Sequence, residues 1–114
     1  MIYIFRLLDK PDHAALRLQM RPQHKAYLAQ VADQIAFAGP LTHDDGTTMI
    51  GSLLAIDFPS RAAAHDWLAH EPFNRAGLYA GVEVHAFVNL WPQRAGFPAP
   101  NSVPSAAPSA APAT

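Results

Sequence analysis

His24 is the residue of this sequence whose setting most invites chemistry. It opens the repeat His24, Tyr27, Leu28, Val31 and Ile35, with offsets of 0, 3, 4, 7 and 11. That spacing predicts the apolar stripe of an amphipathic helix, with Lys25, Gln30 and Asp33 left for water; a titratable ring is unexpected there. On its own such a ring reads as a partly buried histidine satisfied by a local hydrogen bond. Paired with a carboxylate in a cleft it becomes an acid–base unit, the acid orienting the imidazole and the ring moving protons. Glu71, just ahead of Pro72, is a carboxylate of the right type. Its place at the end of a predicted helix makes an exposed side chain the ordinary expectation, and spacing alone does not join it to His24. Arg21, one turn before His24, would draw an anionic substrate to the same place.

The remaining candidates carry less. Ser52 follows Gly51 inside a predicted strand and reads first as a small residue permitting close packing. Beside Arg21 it is the second candidate for contacting a substrate. His65 and His70 are five apart, about 140° around a helix, so they cannot chelate as an i, i+4 pair would. His43-Asp44-Asp45 offers hard ligands but is ordinary turn chemistry, and His13 has no visible partner. The chain has no cysteine, which excludes a disulfide framework, a thiolate nucleophile and Cys-ligated zinc. No metal site is expected. The sequence also contains no G-x-G-x-x-G, P-loop, G-x-S-x-G or H-E-x-x-H pattern.

Composition bounds the rest. Eight Lys+Arg stand against nine Asp+Glu, a net charge of −1 over 114 residues. That balance lacks the basic surface a nucleic-acid partner would require. Arg6 and Asp9-Lys10 interrupt the apolar start before a signal-peptide core is complete. No stretch approaches the roughly 18 apolar residues of a membrane span. The expectation is a cytoplasmic protein that engages neither nucleic acid nor membrane. Half the residues are hydrophobic and only 15% are charged, a globular balance with little charge to keep a small monomer soluble.

The elements that must position these side chains occupy residues 1–92. Met1 to Leu8 reads as a strand closed by the turn-like Asp9-Lys10-Pro11-Asp12. A helical stretch follows, opened or kinked at Pro22. Phe37 to Leu41 and Met49 to Phe58 read as a hairpin around His43-Asp44-Asp45-Gly46. Ser60 predicts the N-cap of a second helix, Arg61 to His70, with Ala64, Trp67 and Leu68 on one face. Glu71-Pro72 stops it, Asn74 to Gly81 is a connection, and Val82 to Trp91 is the last strand. The order β-α-β-β-α-β is an α+β, ferredoxin-like pattern with two helices on one face of a four-stranded antiparallel sheet. Its strands carry apolar residues on both faces. The face away from the helices would bear Phe or Tyr from several strands, more than a monomer usually leaves wet. A homodimer packed sheet against sheet is expected. From residue 93 onward, fifteen of the 22 residues are Ala, Pro or Ser and Arg94 is the one charge. Such a tail buries too little to offset its ordering entropy and is expected to be disordered.

The segments Arg21-Pro22-Gln23-His24, Tyr27-Leu28, Ala38-Gly39-Pro40-Leu41, Gly51-Ser52, Glu71-Pro72-Phe73 and Ala76-Gly77-Leu78 resemble the YCII-related (YciI-like) family, in order and with compatible spacing from Met1 to about Val88. The resemblance implies a ferredoxin-like fold paired as a dimeric α/β barrel and a His–acid pair. The family's R-P-x-H histidine falls on His24. The acid of its D-P-[FY] segment falls on Glu71, one methylene longer than the usual aspartate. One family line is similar to a dehydrochlorinase of chlorinated hydroxyhydroquinones, and the wider superfamily includes muconolactone isomerase-like enzymes. The implied activity is a lyase or isomerase reaction on a small aromatic or lactone-type compound without a cofactor. His24 would then be the base or acid, Glu71 its orienter, and Arg21 and Ser52 the substrate contacts. A non-catalytic module binding a small ligand in the same cleft is the alternative, and an interaction protein working through its tail is a third reading.

Overall fold

In the computed structural model, which describes residues 1–91, apolar strands build a four-stranded sheet. Strand β1 (Ile2–Asp9) buries Tyr3, Phe5 and Leu7 and turns Ile2, Ile4, Arg6 and Leu8 to the other face. Helix α1 spans Ala14–Ala29, strand β2 Ile35–Thr42 and strand β3 Met49–Asp57. Helix α2 (Arg61–Ala69), the single turn α3 (Pro72–Arg75) and strand β4 (Tyr79–Phe87) complete the chain. All neighbours in the sheet are antiparallel, in the order β2-β3-β1-β4. This is the ferredoxin-like arrangement, with one extra helical turn ahead of β4.

Register places Tyr3 opposite Ile56, Phe5 opposite Leu54 and Leu7 opposite Ser52 on the face that meets the helices. Phe58, Ala64, Trp67, Leu68 and Phe73 close over them as one cluster. Ser60 caps α2 by accepting from the Ala63 amide at 3.1 Å, and Ala64, Trp67 and Leu68 are its buried face. Asp45 closes the β2–β3 hairpin by accepting from the amides of Thr47 and Thr48 and from the Thr48 hydroxyl. These three bonds hold its carboxyl well below the ordinary carboxylate range.

Three expectations are corrected. Helix α1 begins at Ala14 and continues through Pro22, which is exposed and, lacking an N–H, donates nothing to the carbonyl of Leu18, itself exposed. The helix stops at Ala29, so Val31 and Ile35 reach the core from a 3₁₀ turn (Ala32–Gln34) and from β2 rather than from a helical stripe. Strand β4 begins at Tyr79 and ends at Phe87, three residues earlier and four earlier than the predicted bounds; Val88, Leu90 and Trp91 follow it exposed. The predicted tail lies outside the described residues.

The open face of the sheet carries Ile2, Ile4, Leu8 and Leu53, together with Phe37 and Phe87 at 36% and 38% exposure. Tyr3 and Phe5 belong to the helix side, so the aromatic content of the open face comes from β2 and β4 alone. Arg6 and Glu83 form a cross-strand ion pair there at 3.2 Å. On β3, a Cβ at Gly51 would lie 2.3 Å from the Leu7 carbonyl oxygen, which is backbone and cannot step aside. Glycine is therefore what lets β1 and β3 approach and Ser52 face the helices. Gly51→Ala is expected to destabilise the fold by about 2 kcal/mol, read as a lowered urea midpoint with an unchanged slope. An unchanged midpoint would show that the strands part without cost.

Candidate active site

Pro72 pushes the residue before it out of the α region, and Glu71 takes extended backbone with φ −71° and ψ 131°. The same proline suits the first position of α3, where its missing N–H has no partner to lose. Glu71 thereby becomes the N-cap of that turn. Its Oε2 accepts from the Phe73 amide at 3.0 Å and its Oε1 from the Asn74 amide at 3.3 Å. The Tyr79 hydroxyl donates to Oε1 at 2.9 Å, and His24 Nδ1 lies 2.6 Å from Oε2. The side chain is 0% exposed, against the expectation of an exposed helix-end residue. The reason is that a cap of a turn packed on the core points inward, and four donors replace the water it loses.

A carboxylate only accepts, so Nδ1 of His24 is the donor, and in the neutral ring Nε2 keeps the lone pair. The ring stacks on Phe73 with centroids 4.0 Å apart and planes 12° off parallel. Its orientation is thus fixed at an edge by Glu71 and across a face by Phe73. The Tyr79 hydroxyl is raised far above its ordinary value of 10.0 by burial, then by the charge of Glu71 and the hydrogen bond to it, while Arg17 and Ser52 pull the other way. Tyr79 therefore stays a donor throughout the range in which proteins work. On α1, the Tyr27 hydroxyl donates to the Trp67 carbonyl at 2.7 Å and pins the helix to α2.

A second buried pair lies beside the first. Arg17 donates to both oxygens of Asp9, from Nε at 2.7 Å and from Nη2 at 3.0 Å, and Nη2 also reaches Ser52 Oγ at 3.0 Å. The guanidinium carbon stands 4.7 Å from the centroid of Phe73. Above these groups opens a cavity of about 330 Å³. Helix α1 contributes Arg17, Arg21, His24, Lys25 and Leu28 to its wall; Pro40, Met49, Ser52 and Leu54 come from β2 and β3, and Phe73 from α3.

His24 and Glu71 are thus in direct contact, and Arg21 and Ser52 line the same cavity. The oxygen of Ser52 is already engaged by Arg17. Sequence reasoning missed Arg17, Asp9, Phe73 and Tyr79. The signal for Arg17 was present: Arg17, Arg21, His24, Lys25 and Leu28 share one helical face at offsets of 0, 4, 7, 8 and 11, visible only if the helix continues through Pro22. Asp9 and Tyr79 are brought in by strand register and have no local signature. His13 Nδ1 sits 2.7 Å from the Pro11 carbonyl and His70 Nδ1 2.9 Å from the Asp66 carbonyl, both away from the cavity. Among the described residues no three His, Cys, Asp or Glu gather as a metal site would need. No helix among them is long and apolar enough to cross a membrane.

Residues 1–88 match the model of the YCII-related domain. The chain belongs to the YCII-related family. It is 34% identical over 98 residues to protein YciI of Escherichia coli O6:H1, covering 80% of this chain and 100% of that protein. An uncharacterized protein of Haemophilus influenzae matches with the same identity and coverage. Among solved structures, the chain resembles the 5-chloro-2-hydroxyhydroquinone dehydrochlorinase TftG of Burkholderia phenoliruptrix AC1100 in complex with 2,5-dihydroxybenzoquinone. The TM-score is 0.72 at 28% identity, over 77% of this chain and 94% of that one. The fold is that of the dimeric α/β barrel superfamily.

Glu71→Gln puts an amide NH₂ where only acceptors fit, facing donors in a buried site. It is expected to cost about 3 kcal/mol, measured by urea denaturation. A variant as stable as the parent would mean that the four donors find water. For Tyr79, the folded value lies above the unfolded one, so the stability it confers is complete below pH 10 and is lost as pH rises beyond it. In an alkaline titration, the phenolate absorbance lost in Tyr79→Phe should appear in the parent only together with the loss of circular dichroism. Ionisation before unfolding would contradict the burial.

Proposed function

We propose that this protein is a cofactor-free lyase or isomerase that moves a proton on a small aromatic or lactone-type compound. The single observation that carries the reading is the 2.6 Å contact between a fully buried Glu71 and His24, which lines an open cavity. Nε2 of His24 takes a proton from a carbon or hydroxyl of the substrate, and the electron pair moves into the ring system. Return of a proton at another atom gives the isomer; departure of a leaving group with its electrons gives the elimination product. Glu71 holds the ring in one tautomer and orientation throughout, which is the part the acid plays in such pairs. Arg21 and Ser52 contact the substrate from the helix and sheet walls. TftG supports the class of compound, being a dehydrochlorinase held with a quinone.

The protein works as a homodimer joined through the open sheet face. Ile2, Ile4, Leu53, Phe37 and Phe87 make that face apolar, and hiding several hundred Å² of such surface contributes several kcal/mol at about 25 cal/mol per Å². Multi-angle light scattering at micromolar concentration should return twice the chain mass. A monomer would remove the dimer from the proposal.

The enzyme reading is tested with chlorinated hydroxyhydroquinones and small lactones as substrates. His24→Asn, which keeps a donor toward Glu71 but has no basic nitrogen, should lower turnover by about 10²–10⁴-fold with little change in stability. Unchanged turnover would place the chemistry elsewhere. Saturable binding with no product from the parent protein would make this a binding module.

A further inference from the structure

The cavity wall is charged in one sense only. Arg17, Arg21 and Lys25 line it with His24, and among the described lining residues there is no carboxylate. These cations follow one another at intervals of four along α1, so each pushes on the next. Helices usually relieve such repulsion with acids one turn away, yet the sixteen residues of α1 include neither Asp nor Glu.

The three cations are not equivalent. Arg17 is 7% exposed, and its charge is matched by the bidentate Asp9 behind the wall. Glu71 likewise stands behind His24. Arg21 and Lys25 have no carboxylate within ion-pair distance among the described residues, and neither makes a side-chain hydrogen bond there. Both are exposed at the rim, one on each side of His24 along the helix. Opposite them the floor is apolar, with Pro40, Met49 and Leu54. A cationic rim over an apolar floor fits a ligand with one charged end and a flat hydrocarbon body.

We infer that the cavity takes small cyclic carboxylates, with the carboxylate held between Arg21 and Lys25 and the ring lying on the apolar floor within reach of His24 Nε2. The inference rests on the proposed reading of the site for the reacting end, but the carboxylate contact stands or falls independently of any turnover.

The test is a matched pair, 2,5-dihydroxybenzoate and 2,5-dihydroxybenzamide, titrated calorimetrically into the full chain at low salt. The acid should bind about tenfold more tightly than the amide. The double variant Arg21→Gln/Lys25→Gln should abolish that preference, and added salt should shrink it in the parent. His24→Asn should keep the preference for the acid. Retained preference with unaltered turnover in His24→Asn would therefore sink the catalytic reading and leave the carboxylate site standing. Equal affinity for acid and amide, preference surviving in the double variant, or no saturable binding of either compound would overturn the inference.

Discussion

A carboxylate with no access to water must find its donors inside the protein, and the architecture around Glu71 is arranged to supply them. Two come from the backbone of the turn it caps, one from β4 and one from α1. The group therefore ties α3 and β4 to the remote helix α1 at one point. Removing any single donor leaves the others in place but shifts the balance of a site where an unpaired charge is expensive. This explains why α3, a single turn of helix, is held firmly: its first two amides are bonded to the same side chain that orients the imidazole.

The Arg17–Asp9 pair repeats the logic about two helical turns away along α1. Its fork geometry fixes the guanidinium against Phe73, and Phe73 in turn supports the ring of His24. The two pairs thus meet at one aromatic ring, and the imidazole of His24 is placed by packing as well as by hydrogen bonds. Among the described residues every buried side-chain polar atom has a partner. Polar groups are thus admitted to this small core only as closed sets, while Arg21 and Lys25 at the rim have no carboxylate partner among the described residues.

Much of the fold was legible because its signals are local. The apolar run of β1, the Ser60 cap, the Asp45 turn and the Pro72 stop each act within a few residues, and together they give the strand and helix order. The site was legible by halves. His24 stood out because a titratable ring broke an apolar stripe, and Arg21 stood beside it. Glu71 was recognised from its resemblance to a family pattern, while its burial was not, because the inward direction of a cap depends on what lies beneath it. Asp9, Ser52 and Tyr79 meet only through strand register, a long-range property that no spacing encodes. Reading Pro22 as a break rather than an exposed interior proline also concealed Arg17, and with it the full cationic face of α1.

Pro40 gives the cavity wall a property of its own. It sits on β2, one of the two edge strands, whose free side would otherwise offer a row of backbone donors and acceptors to any passing extended chain. An imino acid in the middle of that row withholds a donor, and prolines on sheet margins interrupt the template that strand addition requires. The residue that supplies an apolar surface to the pocket thus also discourages a foreign strand from zipping along its border. The mouth beside it is left for molecules that diffuse in singly.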